Sequence, residues 1–263
     1  MARRPSVAVL GGTFDRLHAG HRALLRAAFD AADTVRIGLT SAAYLRAHPK
    51  PGGAKIRTYE SRRRALARHL RAAFPGRPFE IVPLDDAFGR SVEPGVDAIV
   101  VSTATVPGAR AVNVRRRRAG LPAARIVAVS MTLAPDLRPV SSSRIRAGEL
   151  TQSGGVRGAT VVELLGGGAL EATELKEAFE RAAPGRSMRL RRARGSGTHA
   201  QAGRWDYRIE LRAHPGNQWR ADIEAPEGPM GSALIRRRPG AVRAFVGATL
   251  ARRRRALARE TLS

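Results

Sequence analysis

Residues 11–21 read GGTFDRLHAGH and follow a short apolar run, SVAVL, at residues 6–10. The next stretch, HRALLRAAFDAA at residues 21–32, repeats its apolar positions at helical spacing, so the three segments read as a strand, a tight loop and a helix. Glycine adopts positive φ at little cost, and Gly11 and Gly12 are expected to let the backbone turn sharply and approach a ligand. The helix start offers unpaired N–H groups and the positive end of its dipole, which together favour an anion. His18 and His21, three positions apart on one face of that start, can both donate to a single polyphosphate. A metal pair would need a third protein ligand, and no cysteine and no clear histidine or carboxylate presents itself, so no protein-held metal is expected. A plain helix entry would leave the Gly-Gly-Thr run and the strand before it unexplained.

The same alternation continues outward. TVRIGL (34–39), PFEIVPL (78–84), DAIVVS (97–102) and ARIVAVS (124–130) are further apolar runs, separated by YESRRRALARHLRAAF (59–74) and PGARAVNVRRRRAG (107–120). In the first of these helical stretches Leu66, Leu70 and Phe74 recur every four residues. Strands buried on both faces and separated by helices predict βαβ units and an α/β, Rossmann-like parallel sheet with helices on both faces. Such sheets bind ligands beyond the carboxyl ends of their strands, so the loops opening with GGTFD, TSAAY and VSTAT should converge on one crevice.

Past residue 152 the texture changes. QSGGVRG (152–158) reads as a linker, LLGGGALEATELKEAFERAAPG (164–185) contains a helix stopped by Pro184 and Gly185, and MRLRRAR, WDYRIELRA and WRADIEA alternate as half-buried strands do. GSGTHAQAG (195–203) and HPGNQ (214–218) supply loops, and a last helix spans about residues 240–260. The expected organisation is an α/β ligand-binding domain at 1–153 and a smaller accessory α+β domain at 154–263.

Composition narrows the function classes. The absence of cysteine excludes disulfides, thiolate zinc sites and cysteine nucleophiles. No stretch approaches the ~18 consecutive apolar residues of a membrane span, and the five-residue run near the start is below the roughly 7 to 15 of a signal sequence, so a cytoplasmic protein is expected. The net charge of +25 raises nucleic acid as a partner. Its distribution argues otherwise, with 26 basic and 11 acidic side chains in residues 1–153 and 21 and 11 in the remainder. All basic residues except Lys50, Lys55 and Lys176 are arginine, a compositional bias that also suits anionic small substrates. The remaining motive for polyanion binding is in the second domain, where Arg236–Arg238 and Arg252–Arg255 accompany Trp205, Tyr207 and Trp219 on strands expected to be exposed.

GGTFDRLHAGH resembles the HxGH signature of the nucleotidyltransferase superfamily, and GGTFDRLHAGHRALL resembles the archaeal and eukaryotic type of phosphopantetheine adenylyltransferase. The resemblance continues through GLTSAAYLR, KIRTYESRRRAL, IVVSTATVPGARAVNVRRRRAGLP and VSSSRIRAGEL, covering about residues 5–150. It implies transfer of AMP from ATP to 4′-phosphopantetheine, giving 3′-dephospho-coenzyme A and pyrophosphate in coenzyme A biosynthesis, with Mg2+ carried on the ATP phosphates. Carried over by position, it puts His18 and His21 in the catalytic role and on ATP phosphates, Gly11, Gly12, Thr13 and Phe14 around the phosphate junction, and Arg116, Ser141, Ser142, Ser143 and Arg146 on ATP. Thr13, Ser41, His48 and Lys50 would meet the acceptor, Asp15 would contact ribose or hold the loop, and Arg144 would face the surface. A phosphate acceptor is already an anion, so the chain needs no nucleophile or general base of its own.

The sequence departs from the family pattern in three places. Where a lysine is usual after the second strand, RAHPKPGGAK puts His48, with Lys50 and Lys55 nearby; the VSTAT loop lacks a common glutamate; and Val114 stands where a first arginine is usual, leaving Arg116 to serve. The competing readings are cytidylyl-, FMN- or NMN-adenylyl transfer by the same chemistry, and a basic nucleic-acid-binding protein; PVSSSRIR in place of an RTEGIST-like motif argues against cytidylyl transfer.

Overall fold

The computed structural model describes residues 6–193 and 205–259. The chain forms two compact units, one comprising residues up to Thr132 together with Pro139–Gly155, the other Leu133–Arg138 together with Val156–Leu257. The loop expected at residues 195–203 lies outside the described residues.

The first unit runs β1 (Val7–Gly12), α1 (Ala19–Ala31), β2 (Thr34–Thr40), α2 (Ala42–Ala47), α3 (Tyr59–Ala73), β3 (Phe79–Leu84), β4 (Ala98–Ser102), α4 (Val106–Arg118), β5 (Arg125–Val129) and α5 (Ser142–Arg146). Its five strands form one sheet in the order β3-β2-β1-β4-β5, every neighbouring pair parallel. Alternation along β1 explains the layers. Ala8 and Leu10 share a core with Leu25, Phe29, Leu66 and Leu70 of α1 and α3, while Val9 packs on the opposite face with Ala109 and Val112 of α4. All five apolar runs form strands; the central β1, β2 and β4 are the most deeply buried, and the edge strands β3 and β5 are only partly covered. Strand order reverses between β1 and β4, so the loops after these neighbours diverge and leave a crevice between them.

The second unit contains β6 (Thr160–Leu165), α6 (Ala169–Ala182), β7 (Met188–Ala193), β8 (Tyr207–His214), β9 (Gln218–Ala225), β10 (Gly228–Arg236) and α7 (Ala241–Arg259). Its sheet has the order β10-β9-β8-β6-β7, with β6 parallel to β7 and β8 and the β8-β9-β10 meander antiparallel. One face buries Val162, Leu164, Ile209 and Ile223 against Leu175 and Phe179 of α6 and Phe245 and Val246 of α7. Glu174 of α6 caps α7, accepting from the N–H groups of Gly240, Val242 and Arg243. The other face carries ion pairs, Glu163 with Arg191 and Arg208, and Asp222 with Arg212.

The aromatic residues of this unit require a correction. Tyr207 is fully buried in the core, and its hydroxyl donates to the Asp136 carbonyl at 2.6 Å. Trp205 and Trp219 are partly buried, each beneath a guanidinium, Arg208 at 4.4 Å and Arg237 at 3.7 Å from the ring centroids. These rings are already engaged within the unit, so the three do not form the free stacking surface that a single-strand nucleic-acid face uses.

Candidate functional site

The loop after β1 is shaped by close packing. Gly11 and Gly12 are the last residues of β1 and neither has positive φ, contrary to the expectation for them; the residue that does is Phe14, at φ 44°. A Cβ on Gly12 would come within 2.9 Å of the Phe14 ring, and one on Gly11 within 3.2 Å of the Leu84 side chain. Phe14 is fully buried, and burial holds it in a backbone region that side-chain-bearing residues seldom occupy. Its ring lies 4.9 Å from the His21 ring.

His18 is the N-cap of α1 and His21 is its third residue, with no acidic side chain in that first turn to balance the positive end of the helix. The two imidazoles stack at 3.9 Å, and a Cβ on Gly20 would sit 3.2 Å from the His18 ring, which explains the glycine between them. The Nδ1 atoms of both rings are buried and have no hydrogen-bond partner. Burial, and then Arg22, lowers the His18 pKa to about 4; burial, and then His18 itself, lowers that of His21 to about 3. Both rings are therefore neutral at pH 7, each with one donor and one acceptor nitrogen.

Lys50, on the Pro/Gly-rich loop after α2, donates from Nζ to Thr13 Oγ1 at 2.8 Å. Burial, then Arg146 and Arg62, push its pKa down from the usual lysine value. His48 is exposed at the end of α2, its ring stacked on Tyr44 at 4.2 Å and its Nδ1 3.1 Å from the Tyr44 carbonyl oxygen. Lys55 lies exposed in the short turn Gly53–Lys55. The structure thus brings Lys50, rather than the residue reached by direct count, onto the β1 loop. Lys50 and His48 both border a cleft of about 410 Å³ over the sheet face covered by α4, with Val9, Val82, Leu84 and Val112 among its apolar walls.

Asp15 holds the loop. It is wholly buried and accepts from the Arg57 N–H at 3.1 Å, Arg57 Nε at 3.2 Å and Arg146 Nη1 at 3.1 Å. Burial would raise its pKa, but the hydrogen bonds from Arg57 and Arg146 outweigh this and hold it below the usual carboxylate value. Arg146 also donates to the Pro51 carbonyl and Ser143 Oγ, so it fastens α5 and the Lys50 loop to the β1 loop. Ser141 caps α5 through the Arg144 N–H, as Ser41 caps α2 through the Tyr44 N–H. Arg144, expected at the surface, is buried on Glu149 and the Pro139 carbonyl, because α5 is a single turn whose arginines both fold inward. Arg116 is fully buried with its guanidinium bonded to the carbonyls of Pro122, Ser91, Glu93 and Val96. Pro122 and Val96 precede β5 and β4, so Arg116 serves the amino ends of these strands, away from the loops that carry Thr13 and Lys50.

Arg62 was not singled out by the sequence. Its guanidinium, 1% exposed, donates to the carbonyls of Thr13 at 2.9 Å, Thr40 at 2.8 Å and Arg57 at 3.0 Å, tying the ends of β1 and β2 to the approach to α3. The signal was available: Arg62 stands four residues before Leu66 on the apolar stripe of α3. Arg62→Met leaves buried carbonyls without donors and is expected to lower stability by about 3 kcal/mol, read as a reduced urea midpoint at constant m. An unchanged midpoint would show that the clamp contributes nothing.

Residues 9–148 match the family model described as cytidylyltransferase-like. A phosphopantetheine adenylyltransferase of Methanopyrus kandleri is 42% identical over 139 residues, covering 52% of this chain and 87% of its own length. One from Methanothermobacter thermautotrophicus is 39% identical over 155 residues, covering 59% and 91%. A solved structure of a protein with unknown function from Archaeoglobus fulgidus is 29% identical, with a TM-score of 0.41 over 47% of this chain and 88% of that one.

Proposed function

From a chain that belongs to the cytidylyltransferase-like family and, within it, to the phosphopantetheine adenylyltransferases, we infer transfer of AMP from ATP to 4′-phosphopantetheine, releasing pyrophosphate and forming 3′-dephospho-coenzyme A. The observation that carries this reading is the His18–His21 pair: His18 buried and His21 half-buried, stacked at a helix start without acidic residues, each with a buried, unsatisfied Nδ1. Such a pair suits a polyanion better than water, because a buried polar nitrogen without a partner is costly to maintain.

An oxygen of the acceptor phosphate attacks the α-phosphorus of ATP in line, and the bond from that phosphorus to the bridging oxygen breaks as pyrophosphate leaves. The acceptor phosphate is an anion at neutral pH, so no side chain need remove a proton and no covalent enzyme intermediate forms. Thr13 and Lys50 suit the junction of the two substrates, Lys50 offsetting the repulsion between their phosphates. The apolar cleft beyond Lys50 suits the pantetheine arm. Ser142, the first residue of α5, suits the outer phosphates of ATP, beside Ser141 and Ser143. Asp15 is committed to two arginines and the donors near Thr13 are imidazole, hydroxyl and ammonium groups, so Mg2+ fits here held through phosphate oxygens. That ion would supply charge neutralisation on the triphosphate.

The test is pyrophosphate release with ATP and phosphopantetheine, set against CTP with phosphocholine and ATP with nicotinamide mononucleotide or FMN. Phosphopantetheine should be the best acceptor; if it is the poorest, the reading fails. Within that assay Lys50→Met is expected to raise KM for phosphopantetheine about tenfold, the scale of one charged hydrogen bond, and His48→Gln to leave it within about threefold. The reverse ranking would return the acceptor contact to His48.

Among the described residues no helix is long and apolar enough to cross a membrane. We propose 1–153 as the catalytic domain and the remainder as an accessory domain.

A further inference from the structure

The chain leaves the first unit after Thr132, gives six residues to the second, and returns at Pro139, two residues before the serine run Ser141–Ser143. Those six residues are built into the second unit. Leu137 has φ 62°, a left-handed conformation that a leucine adopts only against its steric preference. It is 5% exposed and belongs to the same core as Leu175, Phe179, Phe245 and Leu250. Burial of its side chain is what holds the strained backbone. Asp136 and Arg138 are buried beside it. The Asp136 carbonyl accepts from the Tyr207 hydroxyl, and Arg138 pairs with Asp206 and, at 2.9 Å, with Glu227. Asp206 in turn accepts from the Val161 N–H at 2.8 Å, which joins the turn to the start of β6. The turn closes on itself through the Ala134 N–H to the Arg138 carbonyl and the Leu137 N–H to the Ala134 carbonyl.

The segment that resumes at Pro139 is short and hydrogen-bonded at once to the first unit. The Val140 N–H donates to the Thr132 carbonyl at 2.9 Å, and Arg144 donates to the Pro139 carbonyl at 3.0 Å. Ser141 follows at once as the N-cap of α5. Only Pro139 and Val140 separate the anchored turn from Ser141.

We propose that the Ala134–Arg138 turn, locked into the second unit by Leu137, Arg138 and the Tyr207 hydroxyl, is a positioning element for the serine run, so that the second unit governs engagement of ATP. This rests on the reading of Ser141–Ser143 as ATP-phosphate contacts. It gives the Ala134–Arg138 turn a positioning role for ATP, through residues that touch no substrate.

The experiment uses the full chain and three variants. Leu137→Gly removes the anchoring side chain and relieves the backbone; Tyr207→Phe removes one hydroxyl; Ile223→Val trims the same core away from the turn. Each is assayed for the Kd of a non-hydrolysable ATP analogue by calorimetry and for KM of both substrates. Leu137→Gly and Tyr207→Phe should raise the analogue Kd and KM for ATP by about tenfold and about threefold, with KM for phosphopantetheine within about twofold and Ile223→Val changing none of them. Tyr207→Phe decides the matter if Leu137→Gly does not fold. Unchanged ATP parameters in Leu137→Gly and Tyr207→Phe overturn the proposal, as does an equal change in all constants across the three variants. A wild-type chain that binds the analogue but fails to adenylylate phosphopantetheine would refute the proposed activity alone, and the Kd ratios would still decide the coupling.

Discussion

His21→Ala is expected to lower kcat by about 10² to 10³ while leaving KM for phosphopantetheine within a few-fold. The physical argument is one of timing. In the resting protein His21 is neutral, because burial and the adjacent His18 bring its pKa to about 3. A neutral imidazole donates one hydrogen bond, and its value grows as charge builds on the oxygens around the attacked phosphorus. His21 is the third residue of α1, so oxygens held by its ring would also meet the positive end of that helix. Removing the ring deletes a donor whose strength is greatest in the transition state, so the loss falls on kcat. It also removes the ring that stacks on His18 at 3.9 Å and lies tilted against Phe14 at 4.9 Å, so His21→Asn is the cleaner variant. Asparagine keeps an N–H donor and should recover part of the rate. Steady-state pyrophosphate release at saturating substrates measures both, and a kcat within about threefold of wild type in His21→Ala would remove His21 from the chemistry.

The cluster proposed to handle phosphate was legible in the sequence because its parts are contiguous. Thr13, His18 and His21 lie within nine residues, and a strand followed by a helix fixes where each points. The strands of the first unit were equally legible, since a buried parallel strand such as β1 or β4 is a continuous apolar run. In the second unit β6 (TVVELL) and β10 (GPMGSALIR) were not foreseen. The first runs straight into a glycine-rich helix start, and the second mixes Gly, Pro and Ser with apolar residues, so neither has a clean period. Arginine was the hardest residue to read. It makes up all but three of 47 basic side chains, and a sequence does not separate Arg116 and Arg62, spent on backbone carbonyls, from arginines that face a ligand. The choice between His48 and Lys50 depended on how a Pro/Gly-rich loop folds back, which is a tertiary matter. The position of Leu137 was beyond local reading as well, because the cause of its left-handed backbone is a core made by residues 25 to 113 positions later.

The same neutral histidines make the ligand-free protein acid-sensitive, and this is the second large effect. An unfolded histidine takes up a proton near pH 6.5. In the folded protein His18 takes one only near pH 4, because of burial and Arg22, and His21 only near pH 3, because of burial and His18. Across that interval the unfolded state binds more protons, so stability rises with pH. The contribution is fully present above about pH 6.5 and is lost as pH falls toward 4 and then 3. For His18, which is 6% exposed, the displacement corresponds to roughly 3 kcal/mol by pH 4. Asp15 acts in the same direction lower down, since Arg57 and Arg146 hold its pKa below the usual value despite burial. The melting temperature should therefore fall steeply between pH 6.5 and 4, and the double variant His18→Asn, His21→Asn should flatten that part of the curve. A triphosphate changes the balance, because its charge gives imidazolium a partner inside the site and raises both pKa values. ATP binding should thus take up protons in the acid part of this window, measured at pH 5.5 as a calorimetric enthalpy that depends on the ionisation heat of the buffer. Proton uptake that survives unchanged in the double variant would assign it to other groups, and a flat melting curve in the wild type would mean that the pair is not the buried neutral stack on which both predictions stand.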